Sequence, residues 1–318
     1  MKLIVNTDDD YESLLGQWSD LESGLAMALH HPDCAQEFVQ RIAQYDRWMR
    51  ELLLLDTDIG LYQLFQLAIN SPAGYSTSHA LVSAVLCQMI ADAFSLPAQE
   101  RDALVQAAFT MNIAMTGLQD QLTKQNTRPS PEQQSTINTH ATEGTLILHR
   151  LGVTDPLWLE IVQLHHRKTA ADENPDTWSA ARRLAYILSV VDRYAAMISP
   201  RQSREGRSTI ESAKHIMQDD ATHQQTVAQT LVRLVGLYPP GTFVQLDSGE
   251  VAVVVNRGGS ADLPNVAIVI GSQGSPVKPP RLHRTRSGRP IVKVALVAAA
   301  IQERIDHHLV LQLGREGI

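Results

Sequence analysis

The chain has 318 residues, a formal net charge of −7 and 44% apolar residues, enough for two domains or one large domain with an appendage. The acidic balance argues against general nucleic-acid binding, and two cysteines outside any CxxC, Cys34 and Cys87, exclude a disulfide framework and fit a reducing cytoplasm. No apolar run approaches the roughly 18 residues of a membrane span, and the N-terminus turns acidic at Asp8-Asp9-Asp10, unlike a signal peptide.

Ser19-Asp20-Leu21-Glu22 predicts a first helix start, with Leu21, Leu25, Ala28 and Leu29 at helical spacing. Pro32-Asp33 predicts the start of a second, with Phe38, Ile42, Tyr45 and Met49 on one face. Within 52–61, the run Leu52 to Leu55 reads as core or interface; Leu61 to Ile69 then gives a third helix, and Ser71-Pro72-Ala73-Gly74 breaks the pattern. Thr77 or Ser78 caps a helix carrying His79, Val82, Leu86 and Met89. Pro97 opens one running through Leu104 and Ala108 to Met111. Ser130-Pro131-Glu132 opens another, which carries Ile137, His140, Gly144 and Ile147 and stops at Gly152. Asp155-Pro156 opens a helix ending near His165-His166. After a polar gap from Lys168 to Asp176, Thr177 opens a long helix that ends at Pro200, and helices over Thr209–Met217 and Thr222–Leu237 follow.

The pattern changes at Tyr238-Pro239-Pro240-Gly241. Thr242–Leu246 and Val251–Asn256, joined by Asp247-Ser248-Gly249-Glu250, read as a hairpin. Val266–Ile270 and Ile291–Val294 add strands, and a last helix is expected from Ala295 to about His308. The expected architecture is mainly α: an N-terminal helical segment (1–74), a helical bundle domain (75–238), and a small β appendage with a terminal helix (239–318).

His79, His140, the pair His165-His166 and Asp192 fall at intervals of tens of residues, each on or at the end of a different expected helix. That is how a metal centre is built in a bundle. The same residues can instead pair by hydrogen bonds inside a core, with Asp192 as partner of His79 or Arg193. Arg201, Arg204 and Arg207 follow the long helix and read as a solvated loop. Lys278, Arg281, Arg284, Arg286, Arg289 and Lys293 form a basic run without acids, read as an exposed flexible connection or a segment that binds phosphate or nucleic acid. His30-His31 and His307-His308 read as surface pairs.

In this order the segments resemble the HD-GYP family, the branch of HD-domain phosphohydrolases that in bacteria cleaves cyclic di-GMP. Thr77-Ser78-His79-Ala80-Leu81-Val82-Ser83 resembles the family's opening histidine helix, and His140-Ala141-Thr142-Glu143-Gly144-Thr145-Leu146-Ile147-Leu148 its HPxxGxxIL segment. Val162-Gln163-Leu164-His165-His166 is similar to the helix that ends in a double histidine. Val191-Asp192-Arg193-Tyr194-Ala195-Ala196-Met197 with Arg201 is similar to the DxxDAxxxxR stretch, and residues 238–254 to the β appendage that follows many such domains.

The resemblance implies an HD-domain bundle. It assigns His79, a lost histidine and Asp192 to one metal, and His140, His165 and His166 to a second. It also makes Arg201, Arg204 and Arg207 candidate phosphate or ligand contacts. The His-Asp pair that names the family aligns with Met111-Asn112, so Asn112 is a weak remnant of the bridging carboxylate. Arg167 replaces the glutamate after the double histidine, 169–175 replaces the Gly-Tyr-Pro loop, and Ala195 replaces the second aspartate of DxxDA. A thioether and a neutral amide are poor ligands for hard or borderline ions, so a degenerate site holding at most one divalent metal (Zn, Fe or Mn) is expected. The expectation is a non-catalytic signalling module that binds a protein partner or a cyclic dinucleotide in the cytoplasm. A three-histidine phosphodiesterase is the alternative, and a nucleic-acid-binding regulator a third that the charge disfavours. The N-terminal helices are expected to serve as a sensor, partner surface or homodimer interface.

Overall fold

A computed structural model describes residues 8–168, 173–199, 209–218, 225–260, 262–286, 288–296 and 305–315. The chain is mostly helical and closes with a small antiparallel sheet. The first helix, α1 (Asp8–His30), is continuous and begins well before the expected start at Ser19. Leu14, Trp18, Leu21, Leu25 and Leu29 recur every three or four residues along it and are buried. Pro32-Asp33 forms only a short 3-10 turn; α2 (Phe38–Leu55) starts after Glu37, which takes a left-handed backbone. Leu52 and Leu53 join the core, whereas Leu54 is 86% exposed. In α3 (Thr57–Asn70) the Asp56 side chain accepts the Ile59 N–H and caps the helix.

The next helix, α4 (Tyr75–Ala93), is buried on all sides, from Ser76 to Ala91. It packs against α1, α3 and α5 (Ala98–Thr110), as well as α6 (Thr116–Thr123), a helix the sequence pattern did not predict. Then come α7 (Pro131–Arg150), opened by a capping box in which Ser130 and Gln133 satisfy each other's backbone N–H groups, and α8 (Pro156–Leu164), capped by Asp155. The long helix α9 (Ala180–Ile198) is capped by Ser179 rather than Thr177, and packs on α4 and α8. Two shorter helices, α10 (Thr209–Gln218) and α11 (Gln225–Val235), complete the helical body.

The sheet is antiparallel in the order β4-β3-β2-β1-β5, with β1 Phe243–Leu246, β2 Val251–Asn256, β3 Asn265–Ile270, β4 Pro276–Arg284 and β5 Val292–Leu296. The basic segment read as a connection is therefore partly an edge strand. Its apolar content is too low for a strand signal, but pairing with β3 from Asn265↔Arg284 to Ile268↔Arg281 satisfies its backbone. The last helix, α12, runs His307–Arg315. Ala295 and Leu296, the start of the expected last helix, belong to β5, and 297–304 lies outside the described residues.

One apolar cluster runs without interruption from Trp18 through Leu81, Leu104 and Val190 to Val253 and Val269. The other sheet face holds its own cluster, Val244, Leu246, Ala252, Val254, Val266, Ile268 and Val292. Alternation along β1, β2 and β3 sends successive side chains to these two clusters. The seam between helices and sheet is polar as well as apolar. Tyr62 Oη lies 2.6 Å from His307 Nδ1, and Gln66 Nε2 donates to Gly241 O at 2.8 Å. Gly241 sits at φ +87°, and a Cβ there would lie 2.9 Å from the Tyr62 carbonyl oxygen, so this approach requires glycine. His307 is thus half-buried and bonded, not the free surface residue expected.

Candidate metal centre

The candidate ligands come from four helices linked by successive contacts, α4 to α9, α9 to α8 and α8 to α7: His79 from α4, His140 from α7, His165 and His166 from the end of α8, and Asp192 from α9. His165 is the C-cap of α8, where the chain leaves the helix, so adjacent histidines turn toward the same space.

His140 and His165 are both buried. Each is held from behind by a carbonyl three residues earlier: His140 Nδ1 by Ile137 O and His165 Nδ1 by Val162 O, both at 2.6 Å. A carbonyl only accepts, so both Nδ1 atoms carry the proton and both Nε2 atoms are bare in the neutral rings. Those two Nε2 atoms face each other at 3.3 Å. Two lone pairs at that distance repel unless a cation stands between them. A proton is disfavoured: burial holds His165 down to about 3, with His166 adding to the shift, and burial lowers His140 as well. His166 completes the group, and one ligand nitrogen from each of the three lies within 4.8 Å of the others. Nitrogens around a tetrahedral zinc at about 2.0–2.1 Å stand about 3.3–3.4 Å apart. The donor set and the His140–His165 spacing therefore fit a divalent metal, and His166 is the exposed member of the group.

His79 and Asp192 form a separate pair beside this cluster. His79 Nε2 lies 2.8 Å from Asp192 Oδ1, and Tyr75 stacks on the other side of the ring with its Oη 3.4 Å from Nδ1. Both ring nitrogens of His79 thus have partners. Burial alone would raise the Asp192 pKa. The hydrogen bond and charge of His79, with His166 and His165 nearby, overcome this and hold the carboxyl well below the usual carboxylate range. Asp192 takes His79 rather than Arg193 as partner; Arg193 Nε donates to Ser189 O.

Met111 is the C-cap of α5 and is buried, and Asn112 begins the following 3-10 turn. The Met111 carbonyl lies 3.8 Å from where a Cβ on Gly144 would stand, one turn along α7 from His140. The Met111-Asn112 junction therefore abuts the helix that bears His140. Arg201, Arg204 and Arg207 lie outside the described residues, as does 169–172.

The sequence reading missed three supporting residues. Arg182, only 4% exposed, donates to Arg167 O at 3.1 Å and Lys168 O at 3.3 Å, pairs with Glu173 at 3.5 Å, and lies over the Trp178 ring. It ties the chain just beyond the double histidine to the start of α9; the Trp178 and Arg182 spacing was its only sequence signal. Trp158 Nε1 donates to Thr110 Oγ1 at 2.9 Å and fixes α8 against the end of α5. Asp120 accepts the Ser76 N–H at 2.7 Å and sits 3.3 Å from His30 Nε2. His30 is thus a bonded, partly covered residue rather than the expected surface one.

No family model matches the chain. Among curated proteins, the cyclic di-GMP phosphodiesterase PA4108 of Pseudomonas aeruginosa is 23% identical over 206 residues, covering 63% of this chain and 49% of the relative. The chain thus spans about half the length of the curated relative it matches. Among solved structures, Bd1817, an HDG"Y"P protein from Bdellovibrio bacteriovorus, superposes with a TM-score of 0.50 at 16% identity, covering 70% of this chain and 71% of that one.

Proposed function

We propose that the chain is an HD-GYP family protein and a signalling module of cyclic di-GMP pathways, a reading supported by its likeness to the phosphodiesterase PA4108 and to Bd1817. In this reading it holds one divalent metal on His140, His165 and His166 and binds a cyclic dinucleotide or a protein partner without efficient turnover. The observation that carries the metal is the facing pair of bare Nε2 atoms at 3.3 Å. A bound Zn, Fe or Mn ion would supply a positive charge for a phosphate oxygen. Two of its three histidines are positioned in advance by the Ile137 and Val162 carbonyls, and Arg182 holds the chain just beyond His166.

Loss of turnover is supported by the second metal position. His79 and Asp192 satisfy each other, Tyr75 covers the remaining nitrogen, and Met111-Asn112 offers neither an imidazole nor a bridging charge. A two-metal clamp on the attacking and leaving oxygens needs that bridge. The messenger acts inside the cell, so the same reading puts the protein in the cytoplasm.

A second reading, a single-metal phosphodiesterase, is favoured by the exposed His166 edge. Two measurements on untagged protein separate them: metal content by plasma mass spectrometry, and cyclic di-GMP binding and product by chromatography. About one metal per chain with nucleotide bound and unchanged supports the first reading. Sustained linear dinucleotide formation overturns it in favour of the second. A metal-free protein after incubation with Zn, Fe and Mn sinks both.

A further inference from the structure

Residues 263–302 contain six Lys and Arg and no Asp or Glu, while the remaining chain has 21 Lys and Arg against 34 Asp and Glu. The fold puts this run on β4, the following connection and β5. Lys278, Arg281, Arg284, Arg286, Arg289 and Lys293 are all exposed. Among the described residues only Arg281 has an acidic partner, Glu250 at 2.9 Å. β4 and β5 are the two edges of the sheet, and 285–291 carries the chain from one to the other. His283 Nε2 donates to Pro290 O at 2.8 Å, and Asp247 exchanges backbone and side-chain bonds with Ile291, so the connection is pinned at both ends.

A second feature lies at the same place. Large apolar side chains are rarely exposed among the described residues, yet Ile291 at 40% and Val294 at 42% flank Lys293, just beyond Arg289 and Pro290. Cations next to exposed aliphatic side chains suit a surface that is negative outside and apolar beneath. A nucleic acid fits less well: residues 263–302 contain no Phe, Tyr or Trp to stack on bases, and aliphatic side chains gain nothing against a phosphate backbone. We propose that the β5 end of the sheet, with Arg286, Arg289, Ile291, Lys293 and Val294, docks the protein on an anionic phospholipid bilayer. The acidic helical body is repelled by the same surface, so the protein is oriented with its sheet toward the lipid.

The test is sedimentation of the full chain with vesicles, either phosphatidylcholine alone or phosphatidylcholine mixed with phosphatidylglycerol. Binding is expected only with phosphatidylglycerol and should weaken as salt screens the charges. Each cation near the surface contributes about a five-fold change in partitioning, so R286E/R289E should lower it by more than ten-fold. I291S/V294S should lower it several-fold while keeping the salt dependence. All four positions are exposed, and matched circular dichroism and melting curves establish that each variant is folded. No binding to the anionic vesicles, no loss in either folded variant, or tighter binding to duplex or single-stranded DNA than to the vesicles would overturn the proposal.

Discussion

At neutral pH a carboxyl group as enclosed as that of Asp46 carries its charge at a cost. Asp46 is 2% exposed on α2; Arg50 Nε approaches its Oδ1 at 3.2 Å without hydrogen-bond alignment. Burial pushes its pKa up from 3.8 to about 6, against the opposing charge of Arg50. A carboxyl with a raised folded pKa contributes stability that is complete below its unfolded value and is lost as pH rises through its folded value. Stability should therefore fall between about pH 4 and pH 6 by roughly 2–3 kcal/mol from this group. In Asp46→Asn the fall should be missing from urea unfolding curves across that range; an unchanged slope would assign the loss to other groups. The metal site yields a second prediction at this scale. Met111→His with Asn112→Asp should raise metal content above that of the parent chain, read by plasma mass spectrometry on folded protein. No gain would count against aligning these two positions with the lost pair. The residue types of the site were legible because a buried imidazole or carboxylate is costly without a purpose. The grouping of His140, His165 and His166 apart from His79 and Asp192 was legible only through the family resemblance; geometry adds that His140 Nε2 faces His165 Nε2 and that His79 Nε2 turns to Asp192.

At the scale of elements, the start of α4 shows how a cap can come from elsewhere. The sequence offers Thr77 and Ser78, but the helix already begins at Tyr75, and these hydroxyls bond back to Ala73 O and Tyr75 O. Gly74 at φ +98° supplies no side-chain cap, and the free Ser76 N–H is met by Asp120 from α6. A Cβ at position 74 would stand 2.9 Å from that carboxylate, so the turn and its remote cap are built together. Asp120→Ala should cost about 1–2 kcal/mol, the usual worth of an N-cap, measured as a lower urea midpoint. It should also loosen α1, whose His30 shares the carboxylate. A variant as stable as the parent would show that water replaces the cap. The missed strand β4 has a related origin: composition marks Lys278 to Arg284 as polar, and its place in the sheet comes from backbone pairing with β3.

Across the whole molecule, α7 and α8 meet through the three-histidine cluster, and α8 is locked to α5 by Trp158 and to α9 through the Arg182 clamp. A metal bound only by the folded cluster must stabilise the whole fold. The gain is about 2.7 kcal/mol at a free metal concentration one hundred times Kd. Thermal unfolding should therefore shift upward with added Zn and return with a chelator, and His140→Ala should abolish the shift. An equal shift in that variant would place the metal elsewhere. Among the described residues no helix is long and apolar enough to cross a membrane.

The sequence by itself determined the alternation of helices, the change to strands after Tyr238, and the identity of the ligand-type residues. Those features rest on local periodicity, on turn chemistry and on residue type, each visible in a short window. Tertiary structure alone decided which ring nitrogens of the histidines face one another, that Asp120 caps α4, that Arg182 braces the chain beyond the double histidine, and that a basic, acid-free segment forms a sheet edge. The contacts of His140, Arg182 and Asp120 join residues from 15 to 44 positions apart. Their energies come from partners the chain brings together only when the buried core closes around α4.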